Sequence, residues 1–366
     1  MKIAFDYKIF YQQKYGGISN YFINLFNELN ELNKDNMIIS PIHKNYYLRS
    51  ENNTKIHGKF FKYLPSQINF ITENLNHFIT YKLIHNYQID ILHETYYSEK
   101  DYGNNSQLKK FCTVFDLINE KFSHFFQNSE QISFLKKKTI ERCDHIFCIS
   151  NNTKEDLIEI FKVPEDKISV TLLASPFKKN SLQNNVNKKF DNCLLFVGSR
   201  RGYKNFHKFI EAFSLSKYLT KNFKIIAFGG ENVAIDEMRL IKKYKMEKNI
   251  FFYNEKNYSL EFLYQNVRAF INPSLYEGFG ITTLEAMSLG CPVLSSSGGS
   301  LKEIGGDSCT YFDPNDVSSI SYKLELLLNS DNLIKQNIQK GFKQANLFSW
   351  ENCAKETFET YKLYLN

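Results

Sequence analysis

The 366-residue chain is 43% hydrophobic and 23% charged, which excludes a disordered or fibrous protein. Its length exceeds one ordinary core and predicts two domains, since domains run to roughly 100–200 residues. The net charge of +7 is a modest excess, compatible with anionic substrates, nucleic acid or an acidic membrane surface, and it selects none of them.

Short apolar runs alternate with stretches of helical period along the chain, which predicts parallel sheets built from βαβ units. The first strand is expected at residues 2–5, and the run ends at Asp6 and Lys8, too short for a signal-peptide core. Gly16-Gly17 then precedes a helix with Phe22, Leu25, Phe26, Leu29 and Leu32 on one face. Strands follow at 89–92, 112–115 and 145–149, the last leading through the N-cap cluster Ser150-Asn151-Asn152-Thr153 into a helix over 154–161. The polar, aperiodic stretch that follows reads as a linker over 179–191, between an N-terminal domain (1–178) and a C-terminal domain (192–348). In the second domain strands are expected at 194–198, 223–228, near Ile250, near Ala269 and at 310–312, with a helix over 205–213. Two doubly wound α/β domains result, with ligands expected beyond the carboxyl ends of the strands. No segment reaches the ~20 apolar residues that span a bilayer. Seven scattered cysteines without a C-x-x-C pair predict reduced thiols in a cytosolic setting and no metal site.

Residues 273–292, PSLYEGFGITTLEAMSLGCP, hold the densest chemistry. Thr282 and Glu285 fit a capping box, Gly290 a helix stop, and Pro292 follows it. The helix start, with Gly278, Phe279, Gly280, Ile281 and Thr282, offers backbone N–H groups and the positive dipole end to a phosphate. Glu277 and Glu285 lie beside it. Two carboxylates there suit hydroxyl-rich ligands such as sugar and ribose rings. The competing reading makes Glu285 a cap and Glu277 a solvated surface group.

This segment resembles the retaining glycosyltransferases of family 4, whose signature is a Glu, seven residues and a second Glu, usually within E-G-F-G. Glu277-Gly278-Phe279-Gly280 and Glu285 match it. The resemblance implies the GT-B fold: two Rossmann-like domains facing a cleft, with the C-terminal helix (349–366) crossing back to the first domain. It also implies that Glu277 serves the transferred sugar and Glu285 the nucleotide ribose. Residues 195–205, LFVGSRRGYKN, are similar to the family's phosphate-binding strand and turn. Lys204 matches its diphosphate lysine, and Arg200 and Arg201 would add to a clamp, although Ser199 stands where many members have arginine. Gly16-Gly17-Ile18 is similar to the glycine loop that approaches the donor phosphate and the acceptor; it also reads as a plain tight turn. His93 occupies a position resembling the family's H-x-x-Y segment. Residues 113–117, TVFDL, look like T-V-H-D-L with Phe115 in place of the histidine, which shifts that task to Asp116 or His93; Asp116 is equally readable as a turn carboxylate.

The expected reaction is metal-independent transfer of a hexosyl group, mannosyl from GDP-mannose in the first instance, from a nucleoside diphosphate sugar to a hydroxyl of a glycan or glycolipid acceptor in surface-polysaccharide or lipopolysaccharide synthesis. Glu277, Lys204, Asp116 and His93 form the expected catalytic set, with no cofactor. The protein is expected to be cytoplasmic, with peripheral contact to an anionic membrane. The alternatives are a GT-B-fold nucleotide-sugar epimerase and a non-catalytic nucleotide-sugar-binding protein. Nucleic acid is not an expected partner, because the lysines are dispersed and no aromatic-basic module appears. A dinucleotide dehydrogenase is disfavoured by the lack of G-x-G-x-x-G after the first strand.

Overall fold

The alternation of apolar runs and helices folds into two parallel sheets, one in each of two units. The first unit comprises Met1–Leu173 and Ser349–Asn366, the second Ala174–Phe348. The computed structural model describes residues 1–49, 55–103, 107–177, 189–230 and 232–365; most of the linker expected at 179–191 lies outside the described residues.

In chain order the first unit contains β1 (Ile3–Phe5), α1 (Lys8–Gln12), α2 (Gly17–Leu32), β2 (Asn36–His43), β3 (Ile56–Phe60), α3 (Asn69–Asn86), β4 (Ile91–Glu94) and β5 (Lys109–Val114). It continues with α4 (Ile118–Lys121), α5 (Ser129–Arg142), β6 (His145–Cys148), α6 (Asn151–Phe161) and β7 (Ile168–Val170). The second has β8 (Phe190–Val197), α7 (Phe206–Leu215), α8 (Lys217–Asn222), β9 (Lys224–Phe228), α9 (Ile235–Lys243), β10 (Ile250–Tyr253), α10 (Leu260–Asn266) and β11 (Val267–Asn272). After these come α11 (Ile281–Ser288), β12 (Val293–Ser296), α12 (Leu301–Gly305), β13 (Thr310–Phe312), α13 (Val317–Leu328) and α14 (Asp331–Ala345), before the terminal α15 (Trp350–Leu363).

The strand orders are β3-β2-β1-β4-β5-β6-β7 and β10-β9-β8-β11-β12-β13. Each reverses direction once, between β1 and β4 and between β8 and β11. Those reversals are the switch points at which loops part and ligands of doubly wound sheets bind.

Helix α2 shows how sequence pattern becomes packing. Phe22, Leu25, Phe26 and Leu29 recur at helical spacing and are fully buried, whereas Leu32 in the last turn is exposed. Phe5 of β1 meets Phe22 and Phe26 edge-on at 5.8 and 6.1 Å. Burying each such ring contributes about 1.5–3 kcal/mol. As the N-cap cluster predicts, Ser150 Oγ accepts from Thr153 N at 3.1 Å and starts α6.

The C-terminal helix α15 packs on the first unit, as the resemblance implies. His93 is one of the groups that hold it, which corrects the expectation that this histidine serves catalysis. Its ring is fully buried, stacked between Phe5 and Phe147 at 5.5 and 5.6 Å. Both nitrogens are engaged, Nδ1 with the Tyr361 hydroxyl at 2.5 Å and Nε2 with Thr113 Oγ1 at 2.9 Å. Burial pushes its pKa down to about 3, so the ring stays neutral and acts as a hydrogen-bonding strut.

Under the first switch point lies a buried ionic network. Lys8 Nζ contacts Glu94 Oε2 at 2.6 Å and Asp6 Oδ2 at 3.4 Å, and the Arg142 guanidinium pairs with both Glu94 oxygens. Asp6 also accepts from Thr95 N and Tyr102 Oη, at 2.8 and 2.9 Å. Every charge in the set has an opposite partner, which is the condition for keeping such groups out of water.

Candidate active site

The second switch point brings the loop after β8 and the loop after β11 side by side. Gly198, just past β8, has φ +115° and Gly202 has φ +62°, backbone that side chains disfavour, so the chain turns sharply into a helical turn ending at Lys204. Leu275 N donates to Tyr203 O at 2.7 Å and joins the two loops. Across this seam Lys204 Nζ donates to Glu277 Oε1 at 2.7 Å, and Ser274 Oγ donates to the same oxygen at 2.6 Å. Glu277 is buried, while the Lys204 tip keeps partial access to water.

The backbone of this carboxylate is held from behind by the segment after β12. Ser300 N and Oγ donate to Glu277 O at 3.1 and 2.9 Å, and Ser296 Oγ donates to Ser274 O. The approach is so close that a Cβ at Gly298 would lie 2.0 Å from Leu275 O, and one at Gly299 would lie 2.4 Å from Glu277 O. Sequence reasoning missed Ser274, Gly298, Gly299 and Ser300. A Gly-Gly pair just past a strand was the available signal.

Gly280 starts α11. At φ +90° it is the N-cap, and its missing Cβ makes room for Leu301 Cδ2, which would otherwise stand 2.6 Å away. The capping box expected from Thr282 and Glu285 therefore does not form, because the helix begins at Ile281, ahead of Thr282. Glu285 instead accepts from Tyr264 Oη at 3.2 Å, and Thr282 O accepts from the same hydroxyl at 3.2 Å. Burial pushes the Glu285 carboxyl up to about 7, against the opposing pull of the Tyr264 hydrogen bond. Ile281 and Thr282 are half-buried, and Gly278 is buried. The Phe279 ring packs edge-on against Phe348 at 5.9 Å, which leaves its backbone to the loop. Gly290 stops the helix at φ +71°, as expected.

Arg200 departs from the expected phosphate clamp. Its guanidinium is buried, with Nε 2.9 Å from Glu237 Oε1, Nη1 donating to Gly229 O at 2.8 Å and the cation 5.0 Å over the Phe252 ring. These bonds tie the ends of β8, β9 and β10 together, so Arg200 braces the loop from within. Arg201, next in sequence, is exposed.

Gly16, Gly17 and Asp116 belong to the first unit. Gly16 caps α2 in extended conformation, and a Cβ there would strike Gln13 Oε1 at 2.2 Å, while one at Gly17 would meet nothing within 4 Å. Gln13 Oε1 accepts from Ser19 N at 3.1 Å and closes the first turn. Phe115 packs edge-on against Tyr21 at 5.3 Å, which sets the Asp116 loop on the first turns of α2. Asp116 Oδ1 accepts from Ile118 N at 3.1 Å, the turn role.

The pattern of glycosyl transferases group 1 matches residues 177–344, and that of glycosyltransferase family 4 matches residues 15–171. The chain is 30% identical over 271 residues to O-antigen chain mannosyltransferase B of Escherichia coli, covering 70% of this chain and 71% of that one. It is 28% identical over 209 residues to O-antigen chain mannosyltransferase RfbU of Salmonella typhimurium, covering 57% of each. Among solved structures, the Anabaena Alr3699/HepE complex with UDP and glucose superposes with TM-score 0.74 at 14% identity, over 99% of both chains.

Proposed function

The chain belongs to the group 1, family 4 glycosyltransferases, and on that premise we propose that it moves a mannosyl group from GDP-mannose to a hydroxyl of a growing surface glycan, with retention of anomeric configuration. The observation that carries the reading is the Lys204–Glu277 contact of 2.7 Å at the second switch point, beside the start of α11. Lys204 and the α11 N–H groups are suited to charge growing on a departing diphosphate. Glu277, held by Ser274 and Lys204, is suited to orienting sugar hydroxyls, and Glu285 to accepting from a ribose. Of Gly16 and Gly17, the second leaves open space beside the start of α2, suited to a phosphate or an acceptor, while Gln13 covers the first. Mannose and the O-antigen setting rest on the names of the two relatives.

The test is a panel of nucleotide sugars with glycan and glycolipid acceptors, scored by mass spectrometry, with the product's anomeric configuration read by NMR. α-Mannoside formed from GDP-mannose supports the reading. Transfer from UDP-sugars alone, or an inverted product, overturns the corresponding part of it.

Glu285 gives donor binding a pH dependence whose sign follows from its raised pKa. Below about 7 the free site holds a proton on Glu285, and a ribose that donates two hydroxyls must displace it. Affinity for the nucleoside diphosphate is expected to rise with pH by up to about tenfold per unit and to level off once the carboxyl ionises. Calorimetric titration on both sides of that value checks this. Glu285→Gln flattens the profile; an unchanged slope in that variant contradicts the ribose role.

No helix among the described residues is long and apolar enough to cross a membrane. A lipid-carried acceptor would then be met at the membrane surface, by peripheral contact.

A further inference from the structure

Helix α3 is built inside out. Thr72, Asn76 and Thr80, at four-residue spacing, form its buried face over the first three turns, and Ile84 continues that face in the last. Thr72 Oγ1 lies 2.6 Å from the Tyr11 hydroxyl, and Asn76 accepts from Ile42 N at 2.7 Å while donating to Ile42 O at 3.0 Å. The opposite face carries Ile71, Leu75 and Phe78, which are 65%, 43% and 53% exposed, flanked by Phe70 at 78%. An ordinary surface helix has the reverse arrangement. The segment leading into α3 also exposes Phe61 and Tyr63, the latter 74% exposed. Single exposed apolar residues are unremarkable, but a contiguous stripe marks a surface that something covers.

The charges around the stripe identify what covers it. Lys82 is exposed beside the stripe, its Nζ 4.4 Å over the Phe78 ring, and Lys59 and Lys62 are exposed in the segment before α3. Among residues 55–90 the only acidic side chains are Glu73 and Asp90. Glu73 lies 3.7 Å from Lys100, and Asp90 accepts from Lys2 N at 2.8 Å. The rim is thus positive, with its acids already engaged. A second copy docking through the same face would set this rim against itself, whereas anionic headgroups complement it.

We propose that the outward face of α3, with Phe61 and Tyr63, seats on an anionic lipid surface, its rings at the headgroup boundary and its lysines on lipid phosphates. The Tyr11 hydroxyl also bonds Asn69 at 3.1 Å, which ties the N-terminal end of α3, with Phe70 and Ile71, to the α1 segment leading to Gly16. Seating this end would bring a lipid-borne acceptor to the rim that carries the glycine loop. That last point rests on the acceptor reading above; the lipid contact does not.

The full chain is sedimented with vesicles of phosphatidylcholine alone or mixed with phosphatidylglycerol. Wild type is expected to bind the anionic vesicles and to release as salt rises. Reversing Lys59, Lys62 and Lys82 to Glu should weaken binding by about a hundredfold or more, each lysine near the surface being worth about fivefold. The triple serine variant at Phe70, Ile71 and Phe78 should lose vesicle binding, while both variants keep wild-type turnover on a water-soluble acceptor. Absence of wild-type binding to anionic vesicles, or equal binding by the variants, overturns the proposal. So does a wild-type dimer that the serine variant disperses. A wrong donor or reaction would appear separately, as missing turnover with vesicle binding intact.

Discussion

Glu277→Ala is expected to lower kcat/KM for glycosyl transfer by about a thousandfold, with the fold retained. The carboxylate sits at a switch point, and its Oε1 is fixed by Lys204 and Ser274 before any ligand arrives. A group pre-positioned in this way contributes most where charge and geometry change between ground state and transition state. Stability should fall far less, because the Lys204 tip keeps partial access to water. Lys204→Ala should cost about a hundredfold, mainly in kcat, as loss of one cation opposite a leaving diphosphate. Because the two groups touch, the double variant should lose less than the product of the single losses. Steady-state kinetics of the four proteins, with thermal melts alongside, checks the set. Additive losses would show that Lys204 and Glu277 act independently and that their contact is incidental.

Glu94→Ala is expected to destabilise the first unit by about 3–5 kcal/mol. Removing this side chain leaves Lys8 and Arg142 without their main counter-charge, and Lys8 is almost wholly enclosed. A surface pair would cost at most about 1 kcal/mol, so burial decides the magnitude. Burial alone would push the Glu94 carboxyl up, but Lys8 and Arg142 outweigh it and hold it below the usual range. The ionised form is therefore favoured by folding. Its contribution is present above the unfolded carboxyl pKa and is lost as pH falls through the lower folded value. In a melt the first unit should drop by roughly 6–12 °C for a 3 kcal/mol loss. Glu94→Ala should also lose the acid-side slope that wild type shows. A melt unchanged by the substitution would mean that the network is solvated.

What was legible in the sequence was what lies close along the chain. The α11 segment could be read because its strand, glycine turn, helix and both carboxylates fall within one stretch, from Val267 to Ser288. The Lys204 turn could be read for the same reason. Most of both sheets followed from apolar runs, but β2, β3, β7 and β12 were not expected from the sequence. β2 carries Pro41, placed at a register shift between Ile39 and Ile42, where a proline's missing N–H is tolerated. β12 is short and half serine, and its Ser296 hydroxyl serves the neighbouring loop instead of an apolar layer.

Partners distant in sequence were not legible. His93 reads as a site residue until Tyr361, 268 positions later, takes its Nδ1. Arg200 reads as a phosphate ligand until Glu237 on α9 takes its guanidinium. The capping box at Thr282 gives way to Gly280, whose φ of +90° favours glycine and whose missing Cβ leaves room for Leu301. In each case a local motif had two physical readings, and packing chose between them.

The most direct test of the central claim, that the Lys204–Glu277 site performs acceptor-dependent glycosyl transfer, is release of nucleoside diphosphate with and without a glycan acceptor, in wild type, Glu277→Ala and Lys204→Ala. Release that requires acceptor in wild type and collapses in both variants is the predicted result. Acceptor-independent turnover, or full activity in either variant, would contradict it.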